Sequence, residues 1–193
     1  MRSLLFFSRL TSLLLALNVL AMAIPSLTFS EEKATSPVFH DFAIPESLSL
    51  CGEAMPLENR RVREMLDREF TISVWDRAQV FLWLKRAGRY FPYIEEKLAE
   101  AGMPDDLKYL AVAESALILN ARSNQGAVGP WQFMAHTGRH IGLRLNRMLD
   151  ERQNFERSTE AALKYLKLLK KIFGTWTLAI AAYNSGDARL KKR

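Results

Sequence analysis

Cysteine is almost missing from this 193-residue chain: Cys51 stands alone. No internal disulfide can therefore staple the fold. Cys51 also makes a poor lipid-attachment site, because bulky Leu50 precedes it where a small residue is wanted. A free or partly buried thiol is expected. No phosphate-binding loop, zinc-knuckle spacing, Ser–His–Asp or Cys–His pattern, strand-rich region or internal repeat stands out, which sets aside the chemistries those patterns serve. Histidine is scarce as well. His136 and His140 stand four apart, a spacing that could hold a metal, but no acidic or cysteine partner accompanies them, so no metal site is expected. Acids are outnumbered, giving a formal net charge of +6. That balance suits nucleic acid, a membrane surface or an acidic polymer, and selects none of them.

Long apolar runs are confined to the N-terminus. Arg2 and Arg9 precede or flank "LTSLLLALNVLAMA", and Ala21-Met22-Ala23 offers a small-x-small cleavage site before Ile24-Pro25. This is the layout of a secretory signal peptide over residues 1–23, and the run is short for a membrane span. Its removal takes away two arginines and no acids, so the charge falls from +6 to +4. Residues 24–51, with Pro25, Pro37 and Pro45 and no sustained period, read as a linker or extended arm. The domain proper is expected from residue 52 to 193.

From about residue 56 the pattern is helical. "ENRRVREMLDREF" is a charged amphipathic stretch, and Val80, Trp83, Leu84 and Ala87 form a stripe that reads as a core face. Pro92 is placed to open a short helix and Gly102 to close it. Pro104, Asp105 and Asp106 suit the start of the next helix, "YLAVAESALIL". After the turn-rich "SNQGAVGP", a helix is expected from near Trp131. Ser158 is the expected N-cap of a helix whose buried stripe is Ala162, Tyr165, Leu166, Leu169 and Phe173, stopped by Gly174. Lys164, Lys167, Lys170 and Lys171 read as its solvated face. "WTLAIAAYNSG" is a last apolar helix. The fold class is all-α.

Three segments carry candidate chemistry. Glu114 is a carboxylate among Val112, Ala113, Ala116 and Leu117. Desolvation there should raise its pKa, which suits a general acid that protonates a leaving oxygen. A structural ion pair is the competing account. In "SNQGAVGPWQFM", two glycines allow close backbone approach, and Trp131 with Gln132 would suit a sugar, as an apolar face beside an amide. In "AAYNSG", Tyr183 and Asn184 stand at the mouth of an apolar helix, where capping by Asn184 and Gly186 is the plainer reading.

Taken together, these segments resemble the lytic transglycosylase family with a lysozyme-like catalytic domain. Glu114-Ser115 matches its "ES" motif, and Ser123 matches the serine of "AxSxxGAxG", here "ARSNQGAVG". Gly129-Pro130-Trp131-Gln132 matches "GLMQ" or "GLWQ", with Pro130 in place of Leu and Trp131 as in the type D branch. Ala182-Tyr183-Asn184-Ser185-Gly186 matches "AYNxG", and "DERQNF" and "STEAALKYLKLL" are similar to the connecting region.

The resemblance implies a goose-lysozyme-like helical domain. It also implies non-hydrolytic cleavage of the β-1,4 bond between N-acetylmuramic acid and N-acetylglucosamine in peptidoglycan, leaving 1,6-anhydro ends. Glu114 would be the lone catalytic acid, and Ser115, Ser123, Gly129, Trp131, Gln132, Tyr183 and Asn184 would form the sugar site. Peptidoglycan glycan strands are the implied partner, in the periplasm or cell envelope. No cofactor, metal or nucleic acid is implied, and membrane association is left open. Family members usually continue beyond "DARLKKR" with helical sequence that covers the groove, so a domain shortened at its C-terminus is expected. A water-using muramidase on the same scaffold, or a non-catalytic peptidoglycan-binding protein, are the rival readings.

Overall fold

The computed structural model describes residues 44–185. The expected leader, residues 24–43 of the arm, and Gly186 lie outside the described residues. What is described of the arm belongs to the domain. Strands β1 (Ser49–Leu50) and β2 (Glu53–Ala54) pair antiparallel around Cys51 and Gly52, both at positive φ (55° and 76°). Such a two-residue turn matches the twist of the strands it joins. Leu50, only 1% exposed, joins the hydrophobic core.

Among the described residues, six α-helices make up the rest of the framework. Helix α1 (Arg60–Trp75) starts where the Asn59 side chain accepts from the Arg61 and Val62 amides, and it buries Leu66 and Phe70. At Asp76 the chain leaves helical geometry, and the Asp76 carboxylate accepts from Gln79 N to begin α2 (Arg77–Glu100). The expected break at Pro92 is not there: α2 runs through it for 24 residues. Pro92 and Gly88 both lie on the exposed side, so solvent can meet the Gly88 carbonyl that loses its donor, while Phe91, Ile94 and Leu98 bury the opposite face. Gly102 does close the helix. It adopts φ 60°, and the Gly102 and Met103 amides return to the carbonyls of Ala99 and Leu98.

A 3-10 turn (Asp105–Lys108) leads into α3 (Tyr109–Ser115). The helix expected through Leu119 therefore stops directly after Glu114-Ser115. Helix α4 is Ala135–His140, so the helix expected near Trp131 begins four residues later. Gln132 at φ 48° cannot be helical. Helix α5 (Phe155–Phe173) is capped by Asn154, whose side chain accepts from Arg157 N at 2.8 Å; Ser158 is instead fully buried and donates to Phe155 O. Its stripe of Ala162, Tyr165, Leu166 and Leu169 is buried, Phe173 is half-buried, and Gly174 ends it at φ 84°. Lys164, Lys167 and Lys171 are exposed, whereas Lys170 turns back to donate to Gly174 O and pair with Glu53.

Helix α6 (Trp176–Ser185) buries Ala179, Ile180, Ala181 and Ala182 and packs chiefly against α5. Helix α2 reaches α5 through Phe155, whose ring lies 4.7 Å from Tyr90 and 5.5 Å from Tyr93, and reaches α3 through Phe91 and Tyr109 at 5.4 Å. The result is an all-α, lysozyme-like domain in which α3, α6 and one compact loop converge. No helix among the described residues is long and apolar enough to cross a membrane.

Candidate active site

A compact loop sets the geometry of the site. Val128 and Phe133 exchange backbone hydrogen bonds at 3.0 and 3.1 Å, making a minimal hairpin whose tip is Gly129-Pro130-Trp131-Gln132. Gly129 has φ 89°, and a Cβ placed on it would stand 1.8 Å from the Arg152 carbonyl oxygen, so only glycine fits. Its amide donates to Ala121 O at 2.9 Å. The Gln132 side chain donates to Gly129 O at 2.8 Å and so closes the tip on itself.

Trp131 corrects an expectation. Its indole is 0% exposed, lies in the core and donates from Nε1 to Thr159 Oγ1 at 3.0 Å. The ring cannot offer a face to a sugar, because α5 encloses it. Only the Trp131 carbonyl turns toward the site, where it accepts from the Tyr183 hydroxyl at 2.7 Å.

Ser115 donates to Pro130 O at 2.8 Å, which ties the end of α3 to the loop. Ser123 accepts from Ala127 N at 3.0 Å and folds the preceding turn, and its hydroxyl proton is not used in that bond. Glu114, half-buried in the last turn of α3, precedes two residues in the left-handed region, Ala116 (φ 54°) and Leu117 (φ 59°). Arg86 of α2 donates to Ala116 O at 3.1 Å and holds this turn. Non-glycine residues in that region cost about 1–3 kcal/mol each and collect where the surrounding structure enforces them. Of the four such residues described, Ala116, Leu117 and Gln132 border this site.

From the other side, α6 brings Tyr183 and half-buried Asn184. The Tyr183 ring packs 5.5 Å from Tyr165 and 5.8 Å from Phe133. Burial first, and then the negative charge of nearby Glu114, push the Tyr183 phenol well above its ordinary pKa. It therefore stays protonated and able to donate. The structure thus brings together Glu114, Ser115, Gly129, Gln132 and Tyr183 and removes the Trp131 indole from the group.

Asp105 and Asp106, the acids that open the 3-10 turn before α3, are engaged elsewhere. Asp105 pairs with Lys108, and Asp106 accepts from Cys51 N at 2.6 Å. Cys51 is a half-buried free thiol, pushed up to about 12 by burial and by Asp106 and Glu53. His136 and His140 are both exposed on α4.

Arg152 was not legible as a site residue. Nearly buried, it pairs with Asp150 at 2.7 Å and donates to Phe133 O at 3.0 Å and Gly126 O at 3.3 Å, clamping both ends of the loop. The polar run "DERQNF" was its only trace in the sequence.

With this geometry in place, comparison with known proteins defines the class. Residues 91–193 match the Transglycosylase SLT domain family, and the chain belongs to that family. Among curated relatives, it is 36% identical over 136 residues to membrane-bound lytic murein transglycosylase D of Escherichia coli K12, covering 70% of this chain and 29% of that protein. It is 33% identical over 111 residues to a putative tributyltin chloride resistance protein of Alteromonas sp. M-1, covering 56% of this chain and 54% of that one. It is 38% identical over 88 residues to peptidoglycan transglycosylase gp16 of Escherichia phage T7, covering 45% of this chain and 7% of that protein.

Proposed function

We propose that this domain is an exported peptidoglycan lytic transglycosylase of the bacterial cell envelope. It would cut the β-1,4 bond between N-acetylmuramic acid and N-acetylglucosamine without water. The observation that supports the reading is the end of α3, where Ser115 bonds the loop carbonyl of Pro130 and the preceding Glu114 lies near Tyr183, a phenol held protonated by burial and by that carboxylate. Family membership and relatives named as murein and peptidoglycan transglycosylases support the substrate class.

In the reaction the Glu114 carboxylic acid gives its proton to the glycosidic oxygen as the bond from C1 breaks. The resulting carboxylate then takes the proton of the muramic C6 hydroxyl while that oxygen closes onto C1. One proton leaves Glu114 and one returns, and no water is consumed. A single acid suffices because the substrate's own N-acetyl group and hydroxyl replace the second carboxylate and the water of hydrolytic glycosidases. The commitment of Asp105 to Lys108 and of Asp106 to the hairpin fits that scheme. Ser123, Gln132, Tyr183 and Asn184 would line the sugar site.

Digestion of purified cell wall with mass spectrometry of the products tests this reading. Anhydro ends, one water lighter than reducing ends, are expected, and Glu114→Gln should abolish them. Reducing ends would favour the muramidase reading. Equal product from the Glu114→Gln variant would remove Glu114 from its role.

A further inference from the structure

The N-terminal hairpin touches both helices that carry the site. At its turn, Cys51 N donates to Asp106 Oδ2 at 2.6 Å, on the segment that continues into α3 and ends at Glu114. On β2, Glu53 reaches α6 across 123 residues of sequence. One carboxylate oxygen accepts from Trp176 N at 2.6 Å, and the other accepts from Thr177 N at 2.9 Å and Thr177 Oγ1 at 2.6 Å. Lys170 lies 3.4 Å from the first oxygen.

Helix α6 does not depend on Glu53 for capping alone. Thr175, directly before it, already accepts from Leu178 N through its side chain and from Ala179 N through its carbonyl. A local cap stabilises a helix wherever the helix lies, whereas a carboxylate from a distant strand also fixes where it lies. Both oxygens of Glu53 accept from the first turn of α6, one of them also taking Lys170 of α5, and the hairpin that carries Glu53 is anchored by Leu50 in the core and by Cys51 N on Asp106. Tyr183 follows Trp176 by seven residues, about 10 Å along the same short rod, so a shift at the start of α6 is transmitted to the phenol.

We infer that Glu53 is a positioning residue for the reaction: from the hairpin it seats α6 and so holds the Tyr183 hydroxyl on the Trp131 carbonyl, beside Glu114. The inference rests on the transglycosylase reading for its kinetic consequence and on geometry alone for its structural one. Glu53 touches no substrate in this scheme. The phenol lies near Glu114, the group that gives and takes the proton in this scheme, and a misplacement of about an ångström around a reacting group can cost about 10²-fold in rate.

The test combines kinetics on cell-wall glycan with NMR of the Tyr183 ring, using the full chain and the variants Glu53→Gln, Thr177→Val and their double. Glu53→Gln should lower kcat by about tenfold with KM little changed. Thr177→Val should act in the same direction and more weakly, and the double variant should resemble Glu53→Gln, because both remove one interaction. The Tyr183 signal should shift or broaden in the same order, under conditions where circular dichroism shows the fold intact.

An unmoved Tyr183 signal, a change in KM alone, or an activity loss equal to the fraction unfolded would overturn the inference. If Glu53→Gln does not fold, Thr177→Val carries the same test. If the wild-type chain makes no anhydro product, the proposed function falls, and the Tyr183 signal in the variants still decides whether Glu53 seats α6.

Discussion

The hydroxyl of Tyr183 donates to the backbone carbonyl of Trp131 at 2.7 Å, joining the last turn of α6 to the tip of the site loop. Trp131 thus faces two ways. Its carbonyl meets the site, and its indole, bonded to Thr159, is sealed in the core against α5. This bond, with the Phe133–Tyr183 ring contact, holds together a helix and a loop 52 residues apart.

The first prediction separates those two faces. Trp131→Phe keeps the carbonyl and the Tyr183 contact but leaves Thr159 Oγ1 unpaired and the indole volume partly empty. Stability should fall by about 2–3 kcal/mol in urea unfolding, while KM for glycan strands stays as in the wild type. A raised KM at unchanged stability would place the indole against the sugar instead.

Gly129→Ala should be far more damaging than most surface changes. The added Cβ meets the Arg152 carbonyl at 1.8 Å, and φ 89° strains any side chain. The Arg152 backbone cannot yield without disturbing the Asp150 pair and the bonds to Phe133 and Gly126. A loss of about 3 kcal/mol or more is expected in equilibrium unfolding. A variant as stable as the wild type would mean that the loop relaxes freely.

Acid sensitivity should trace in part to Glu53. Burial pushes its carboxyl up, but the bonds from Thr177, Trp176 and Lys170 outweigh that and hold it at about 2, against 4.5 for the ordinary group. A lowered folded-state pKa contributes stability that is complete above 4.5 and is lost as pH falls toward about 2. The shift corresponds to about 3 kcal/mol by linkage, and screening of a carboxylate one-quarter exposed reduces this to about 1–2 kcal/mol. The stability gap between wild type and Glu53→Gln should therefore be constant from neutral pH to about 5 and should narrow below it. A gap independent of pH would show that the carboxylate charge is not what holds α6.

Much of the framework was written in local pattern. The 3.6-residue stripe of α5, the glycines that end α2 and α5, and the apolar run of α6 could each be read from a dozen neighbouring residues, because helix burial repeats at short range. Other features had no local signal. Nothing in "AESALIL" marks two non-glycine residues at positive φ, so the end of α3 at Ser115 was invisible. Pro92 normally breaks helices, and only its exposed side of α2 explains why this one continues. Asn154 rather than Ser158 caps α5 because Ser158 is needed inside the core.

The sequence by itself determined the helical class, the order of the motifs and the place of Glu114 among apolar neighbours. Those properties depend on residue type and short spacing. Tertiary structure alone decided that the Trp131 indole belongs to the core, that Arg152 clamps the loop, and that Glu53 grips α6 from 123 residues away. Each depends on which distant surfaces pack together, and the periodicity of one segment carries no record of its partner.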